Sequence, residues 1–325
     1  MSHPTGPVAE RFAGRIQQFE QVSLSPLAVP SYPVHRARPE ADECTLRTPF
    51  QRDRDRIVHS KAFRRLKHKT QVFIEPAGDH FRTRLTHTLE VSGISRGVAR
   101  ALRLNEDLTE AIAIGHDLGH APFGHTGETA LDQALREHGG HFRHNEQSLR
   151  VVDVLERDGE GLNLTEQVRD GILNHTGPGT PQTLEGRIVR LVDRFAYVNH
   201  DIDDAARAGI LDPGSLPADP LALLGMTSSG RIDALVHDLV ETSDRAGDIV
   251  QSAPYEAALL ELRSFMFEHV YLGPRATVEN DRAAVKVRAL FDHHLARAGD
   301  PVAVTDWVSG MTDRYAERAY DELPA

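Results

Sequence analysis

Apolar residues recur at helical spacing along most of the chain. Over 84–103, five of them follow one another at intervals of four or five positions, which is typical of a helix. They are Leu85, Leu89, Ile94, Val98 and Leu102. Asn105, followed by two acids, predicts the start of a second helix that runs into residues 116–117 and stops before Pro122. Further helices are predicted at about 144–157, 164–174, 184–207, 230–245, 254–271, 277–298 and 302–320.

Strand signals are limited to a short hairpin near residues 70–74 and 81, so the fold is predicted to be all-α. Residues 1–49 hold seven of the eighteen prolines, the composition of an extended arm. One short helix is predicted in it, from Val8 to Gln21. Such an arm either wraps a neighbouring subunit or is partly disordered. A loop rich in Gly, Pro and Ser, from Ala208 to Ser229, predicts the boundary between a core at 50–210 and a C-terminal helical region at 211–325.

Composition places the chain among ordinary globular proteins. Its 325 residues are 40% hydrophobic and 26% charged, enough to bury a sizeable core. No apolar run approaches the roughly 18 residues that span a bilayer, and no secretory signal opens the chain. Cys44 is the only cysteine, which excludes a disulfide framework. A cytosolic protein is the simplest interpretation.

Charge is unevenly distributed. The net charge of −11 argues against nucleic-acid binding over the whole surface. Between Arg52 and Arg84, however, ten Lys or Arg residues face only four acids. This basic stretch indicates either a confined phosphate site or a solvated helix face with paired charges, which the alternation at residues 52–56 (RDRDR) also fits.

The densest cluster of chemistry-bearing side chains is residues 115–125 (GHDLGHAPFGH), with three histidines and one aspartate. Imidazole and carboxylate together suit a hard or borderline divalent ion. Four residues fit one such site: His87, His116, Asp117 and Asp193. His116 and Asp117 are about 100° apart around a helix, so one ion can reach both. Four ligands leave positions open for water or substrate.

A His-Asp pair alone is weak evidence, and the chain has two others, His200-Asp201 and His237-Asp238. The pair at 237–238 lies in an amphipathic stretch without neighbouring histidines, so it is interpreted as solvated surface. The 115–125 segment differs because its Gly and Pro residues cost helix stability without an obvious structural return.

Several blocks of the sequence together resemble the HD-domain phosphohydrolases, and within them the bacterial deoxyguanosine triphosphate triphosphohydrolases and related dNTPases. The blocks are 52–60 (RDRDRIVHS), 62–66 (AFRRL), 69–73 (KTQVF), 83–91 (TRLTHTLEV), 115–125, 144–148 (HNEQS) and 192–205 (VDRFAYVNHDIDDA). The resemblance covers residues 50–210 densely and the C-terminal helices loosely. It implies an all-α HD-domain core and a divalent ion, one of Mg, Mn, Co, Ni, Fe or Zn.

The implied reaction is hydrolysis of a 2′-deoxynucleoside triphosphate to the deoxynucleoside and intact triphosphate, with water attacking the α-phosphorus. By resemblance, His125 and Glu128 polarise that water. His120 and His144 are expected near the α-phosphate or the leaving oxygen, the alternative being that they pack behind the metal ligands.

Further side chains are assigned to the substrate by the same resemblance. Arg84 and Arg194 are expected to bind phosphate. Tyr197 is expected to pack against the sugar, Asp201 to accept from the 3′-OH, and Gln71 to touch the sugar. A tyrosine under C2′ would crowd out a ribose hydroxyl and so explain a preference for deoxynucleotides.

Other functions remain open at this point. One is a different HD phosphohydrolase, such as a nucleotide monophosphatase or a cyclic-nucleotide phosphodiesterase. The other is a regulatory module that binds nucleotide or single-stranded nucleic acid through the basic stretch. Helical proteins of this family assemble through arms and C-terminal helices, so a homo-oligomer is expected, and an allosteric dNTP is a possible further partner. No membrane partner is expected.

Overall fold

The structure is a computed structural model that describes residues 6–40, 44–71, 82–271 and 273–324, and within these ranges it contains fifteen α-helices and no β-strand. The helices are α1 (Pro7–Ser23), α2 (Pro49–Val58), α3 (Lys61–Arg65), α4 (Arg84–Ala101), α5 (Glu106–Gly115), α6 (Gly124–Arg136), α7 (His144–Arg150), α8 (Glu166–Asn174), α9 (Leu184–Arg207), α10 (Ala218–Leu224), α11 (Ser228–Ala246), α12 (Ala253–Met266), α13 (Pro274–Ala298), α14 (Pro301–Ser309) and α15 (Asp313–Asp321). The all-α prediction is confirmed. The predicted hairpin lies mostly outside the described residues, and at its base Thr70 forms an isolated antiparallel bridge with Thr83.

The N-terminal arm begins with α1, which has no buried residue. After α1 the arm runs as an irregular segment, with a turn at residues 25–28, over its own chain. The backbone N–H of Ser25 donates to the carbonyl oxygen of Arg103 at 2.7 Å, and that of Val29 donates to the Glu185 carboxylate at 3.0 Å. Residues 24–40 therefore belong to the surface of this chain's own core.

Helix α5 lies at the centre of the main core, packed by α2, α4, α8 and α9. Its short apolar sequence is buried on nearly every side, including Leu108, Ala111 and Ile112. The crossing with α8 is close because Gly171 faces Ile112: a Cβ at Gly171 would lie only 2.5 Å from the Ile112 side chain. This tight contact fixes the C-terminal end of α5, where the metal motif begins.

A second apolar cluster joins α6 to the C-terminal helices α13, α14 and α15. Leu131 and Leu135 of α6 pack there with Val287 and Phe291 of α13 and with Val308 of α14. The last helices of the chain are thereby fixed against the segment that follows the 115–125 motif.

Four details differ from the sequence-based element predictions. The predicted helix before Pro122 ends at Gly115, because residues 116–119 form a turn. Helix α6 was not predicted. The loop predicted between Ala208 and Ser229 contains α10. The helix predicted over 302–320 is two helices, since α14 ends at Ser309 and Thr312 caps α15.

Across the described part of the chain, no helix combines the length and the apolar character that crossing a bilayer requires.

Candidate metal centre and active site

Three helices bring the predicted metal ligands together. His87 lies in the first turn of α4, whose start is fixed by a capping box between Thr83 and Thr86. His116 and Asp117 follow the end of α5, and Asp193 lies in the middle of α9. Because α4, α5 and α9 pack on one another, these side chains converge although they are far apart in sequence.

The four side chains make one cluster, in which His87, His116 and Asp117 are buried and the side chain of Asp193 is 23% exposed. His87 Nε2 is 3.0 Å from Asp193 Oδ1, and His116 Nε2 is 3.4 Å from Asp117 Oδ1 and 3.7 Å from Asp193 Oδ1. Ligand atoms of His87, His116 and Asp117 all lie within 4.8 Å of one another, a separation that one ion can bridge. The structure thus brings together the four residues predicted from sequence.

The tautomer of His116 indicates that a cation fits here. Its Nδ1 lies 2.6 Å from the carbonyl oxygen of Ala113, which can only accept, so Nδ1 carries the hydrogen and Nε2 presents a lone pair to Asp117 and Asp193. Burial opposes protonation of His116, but the carboxylates of Asp117 and Asp193 outweigh burial and raise its pKa to about 9. The cluster therefore attracts a positive charge at this point, and its imidazole and carboxylate donors suit a divalent metal ion.

Both carboxylates are held in the charged form. Burial raises the pKa of Asp193, but contacts with His116 and His87 outweigh burial and hold that pKa well below its ordinary value. Burial also opposes ionisation of Asp117, but His116 and then Arg84 hold its pKa low. Arg84 is itself 1% exposed and donates to Asp117 Oδ2 at 2.9 Å.

A histidine group flanks the metal cluster. The rings of His120 and His144 stack with centroids 3.9 Å apart, and the Glu128 carboxylate accepts from His144 Nδ1 at 2.9 Å and from His125 Nδ1 at 3.3 Å. Burial raises the pKa of Glu128, but the hydrogen bonds from His125 and His144 outweigh it, so Glu128 is ionised. Burial first, and then the charges of Arg84 and His144, hold the pKa of His120 well below its ordinary value.

A cavity of about 680 Å³ opens over these groups. Ten of the predicted site residues line it: Gln71, Arg84, His87, Asp117, His120, His125, His144, Asp193, Arg194 and Tyr197. His116 and Glu128 do not line it and lie behind the ligands and histidines that do. The opposite wall comes from the C-terminal helices, where Leu259, Arg263 and Phe267 face the cavity.

Asp201 lies outside the cavity lining. It is 1% exposed, and the hydroxyl of Tyr271 donates to its Oδ2. Burial raises the pKa of Asp201 well above its ordinary value. The ring of Tyr271 in turn stacks on that of Tyr197, with centroids 5.7 Å apart. In this structure Tyr271 stands between the cavity and the carboxyl group predicted to meet the 3′-OH.

Sequence reasoning missed two further groups at the site. His175, at the end of α8, faces His144 with the two Nε2 atoms 3.3 Å apart. Tyr271, Phe267 and Arg263 form part of the cavity wall, and the guanidinium of Arg263 lies 5.0 Å from the Phe267 ring centroid. A cluster of aromatic residues at 265–271 was the only available signal for this wall, and nothing beside His175 in sequence marked that residue.

The basic stretch between Arg52 and Arg84 is largely paired with acids. Arg52 and Arg56 contact Glu40 at 2.9 and 2.6 Å, and Arg54 contacts Glu110 at 3.2 Å. These contacts agree with the paired helix face rather than with a surface of uncompensated charge. Arg84 is the member of the stretch that faces the cavity.

Two family models match the chain. The model described as "HD domain" matches residues 84–198, and the one described as "Phosphohydrolase-associated domain" matches residues 249–303. The first match contains all four residues of the metal cluster, and the second contains Arg263 and Phe267 of the cavity wall. The helical core and its histidine–aspartate cluster therefore define the class, the HD-domain phosphohydrolases.

Curated relatives narrow the class. Several of them carry the name "Deoxyguanosinetriphosphate triphosphohydrolase-like protein". The one from Caldanaerobacter subterraneus subsp. tengcongensis is 52% identical to this chain over 94% of both chains. The one from Desulfatibacillum aliphaticivorans is 45% identical over 95% of this chain and 97% of its own length. The chain belongs to this family of deoxyguanosinetriphosphate triphosphohydrolase-like proteins. A crystal structure of a hypothetical protein from Aquifex aeolicus shares the fold, with a TM-score of 0.52 and 19% identity over 83% of this chain and 68% of that one.

Proposed function

We propose that the protein hydrolyses 2′-deoxynucleoside triphosphates, dGTP or a broader set of dNTPs, to the deoxynucleoside and intact triphosphate. The observation that carries the proposal is the make-up of the cavity. Its lining combines the carboxylates and imidazoles of the metal cluster and the guanidinium groups of Arg84 and Arg194 with the apolar or aromatic side chains of Tyr197, Leu259 and Phe267. Cationic groups suit the phosphates, and an apolar, aromatic wall suits an uncharged sugar and base.

A divalent ion held by His87, His116, Asp117 and Asp193 would supply Lewis acidity at the α-phosphate. The protein's own groups do the rest. Glu128 accepts from His125 Nδ1, which leaves His125 Nε2 as the acceptor for a proton from the attacking water. His125 is the more exposed of the two histidines that Glu128 contacts, with 58% of its side chain accessible against 12% for His144. It can therefore meet water that enters the cavity.

The leaving 5′ oxygen needs a proton donor or a hydrogen bond. His120 is neutral at physiological pH because burial lowers its pKa, so it serves as a hydrogen-bond donor to the phosphate or the leaving oxygen. His144 stacks on His120 and is expected near the same oxygen, but its Nδ1–H is bonded to Glu128, so it donates to that oxygen only in its protonated form. Arg84 and Arg194 line the cavity and neutralise phosphate charge, while Gln71 and Tyr197 contact the sugar.

Asp201 reaches the 3′-OH only if Tyr271 gives way, because Tyr271 now donates to its carboxyl group. We therefore assign the 3′-OH contact to the Asp201–Tyr271 pair. Tyr271 offers its hydroxyl at the cavity face, and Asp201 orients it from behind.

Assembly and activation are part of the same proposal. Phe19 and Val22 of α1 are 66% and 87% exposed, a surface suited to contact with a second copy of the chain. We propose a homo-oligomer, with an activating dNTP as a further partner. The division into an arm at 1–49, a core at 50–210 and a C-terminal region at 211–325 stays a prediction.

The test is an assay of each dNTP, alone and in mixtures, with Mg, Mn, Co, Ni, Fe or Zn, and with products separated by anion exchange. Triphosphate and deoxynucleoside that disappear in Asp117→Ala are the expected result. Monophosphate or pyrophosphate would assign the protein to another HD phosphohydrolase reaction. No product under any condition, together with salt-dependent binding of single strands that survives Asp117→Ala, would favour a binding module.

A further inference from the structure

His144 and His175 face each other across the inner wall of the cavity. His144 is the first residue of α7, and His175 directly follows α8. Their Nε2 atoms are 3.3 Å apart, and His175 is 2% exposed. The four-residue metal cluster described above accounts for neither ring.

The hydrogen-bond partners define both tautomers. His144 Nδ1 lies 2.9 Å from the ionised Glu128 carboxylate, and His175 Nδ1 lies 2.7 Å from the carbonyl oxygen of Ile172. Both partners are acceptors, so both Nδ1 atoms carry hydrogen. Each neutral ring then presents an Nε2 lone pair to the other, and two lone pairs at 3.3 Å need a positive charge between them.

Either a proton on one of the rings or a metal ion between them supplies such a charge. A metal ion interacts with both lone pairs at once, and the arrangement in which Nδ1–H of each ligand is held by an acceptor is the usual support for a metal-bound histidine.

A third ligand is in reach. An Asp117 carboxylate oxygen lies within 4.8 Å of the ligand nitrogens of His144 and His175. The same aspartate belongs to the first cluster, and the His116 and His175 ring centroids are only 5.0 Å apart. A carboxylate between two adjacent ions is the arrangement of two-metal hydrolytic sites, whose ions lie about 3.5–4 Å apart.

We propose that His144, His175 and Asp117 form a second divalent-metal site, next to the first and sharing Asp117 with it. Asp117 Oδ2 is bonded to Arg84 in this structure, so a second ion competes with that arginine for the carboxylate. The site concerns metal binding by the folded chain and does not depend on which phosphate ester is hydrolysed.

The test is metal stoichiometry without nucleotide, so its result is separate from that of the hydrolysis assay. Metal-free full-length protein is equilibrated with Mn²⁺, and bound manganese is counted by elemental analysis. We expect about two ions per chain in the wild type and about one in His175→Phe, which keeps the ring volume and removes the ligand. His237→Phe, a change at a side chain that is 74% exposed, should keep about two.

Electron paramagnetic resonance gives a second reading. Two neighbouring Mn²⁺ ions produce an exchange-coupled spectrum, which His175→Phe should convert to that of an isolated ion. If His175→Phe fails to fold, His144→Ala and the wild-type stoichiometry decide the question. One ion per chain in the wild type, or two in a folded His175→Phe, would overturn the proposal, and the first result would mean that a proton joins the two imidazoles.

Discussion

The Asp313 carboxylate accepts a 3.0 Å hydrogen bond from the backbone N–H of Phe123, a residue 190 positions earlier in the chain. Its other oxygen accepts from the backbone N–H of Thr70 at 2.7 Å. Phe123 has a left-handed backbone, with φ of 61°, and ends the loop that carries the metal motif. The first residue of α15 thus holds two segments that border the cavity.

Asp313→Ala is therefore expected to weaken both the fold and the site. Both N–H groups would lose their acceptor in a buried place, at a cost of about 1–3 kcal/mol each. We expect a lower urea midpoint for unfolding and a loss of hydrolysis larger than the loss of folded protein, since the Phe123 loop would no longer be fixed. Asp321→Ala, at an exposed position of the same helix, is the control and should change neither. Equal urea midpoints for Asp313→Ala and the wild type would show that α15 does not hold the loop.

Lys69 gives a pH-dependent prediction. It is 2% exposed, and its amine donates to the carbonyl oxygens of His120 and Ser309. Burial is the largest cause that lowers its pKa to about 7 from an ordinary 10.5. Between these values the unfolded chain binds the proton that the folded chain has released. The free energy of unfolding should therefore rise with pH from about 7 towards 10, by up to about 1.4 kcal/mol per unit from this group.

The measurement compares urea unfolding at pH 7, 8 and 9 in wild type, Lys69→Met and Lys67→Met. Lys67 is exposed, so its removal should leave the pH slope unchanged. Lys69→Met should lose the rise. A wild-type slope identical to that of Lys69→Met would mean that Lys69 stays protonated inside the fold.

The four residues of the metal cluster could be selected from sequence because each one lies on or directly after a helix with a clear apolar pattern. The apolar pattern places His87, His116, Asp117 and Asp193 on or directly after three helices, and the shared donor chemistry of imidazole and carboxylate groups them although Asp193 is far away in sequence. The helices and substrate contacts outside the metal cluster were predicted less completely. They depended on contacts between helices that no local pattern encodes.

Helix α6 and Asp201 illustrate this limit. Helix α6 begins at Gly124 after Pro122 and a left-handed Phe123, residues that locally indicate a break, and its amphipathic face is explained only by packing on α13. Asp201 is eight residues after Asp193, or about 800° around the helix, which is about 80° from a whole number of turns. That offset turns Asp201 away from the metal cluster and under Tyr271.

Arg84 should matter for both substrate and metal. It is buried, lines the cavity and donates to Asp117. In Arg84→Gln we expect kcat/KM for the preferred dNTP to fall about 10- to 150-fold, the effect of losing a hydrogen bond to a charged group worth about 1.5–3 kcal/mol. The metal-free variant should also unfold at lower urea, because Asp117 loses its counter-charge, and added Mn²⁺ should restore part of that loss.

The control for Arg84→Gln is Arg100→Gln, which removes an arginine whose side chain is 71% exposed on the same helix. It should leave kcat/KM and the metal response unchanged. If Arg84→Gln changed kcat/KM no more than Arg100→Gln does, phosphate binding by Arg84 would be refuted.

Tyr197 tests how the proposed enzyme would separate deoxynucleotides from ribonucleotides. Its ring faces the cavity between Asp193 and the aromatic wall, and it is braced from behind by Tyr271. A braced ring cannot move aside for an added hydroxyl, so the prediction depends on the ring and not on the phenol oxygen. Tyr197→Ala should raise the ratio of kcat/KM for a ribonucleoside triphosphate to that for its deoxy counterpart by about 10-fold or more. Tyr197→Phe keeps the ring and should keep the wild-type ratio.

The measurement is competition between dGTP and GTP in one reaction, with guanosine and deoxyguanosine separated by reversed-phase chromatography. A loss of dGTP hydrolysis in Tyr197→Ala with an unchanged ratio would mean that Tyr197 binds the sugar without sensing C2′.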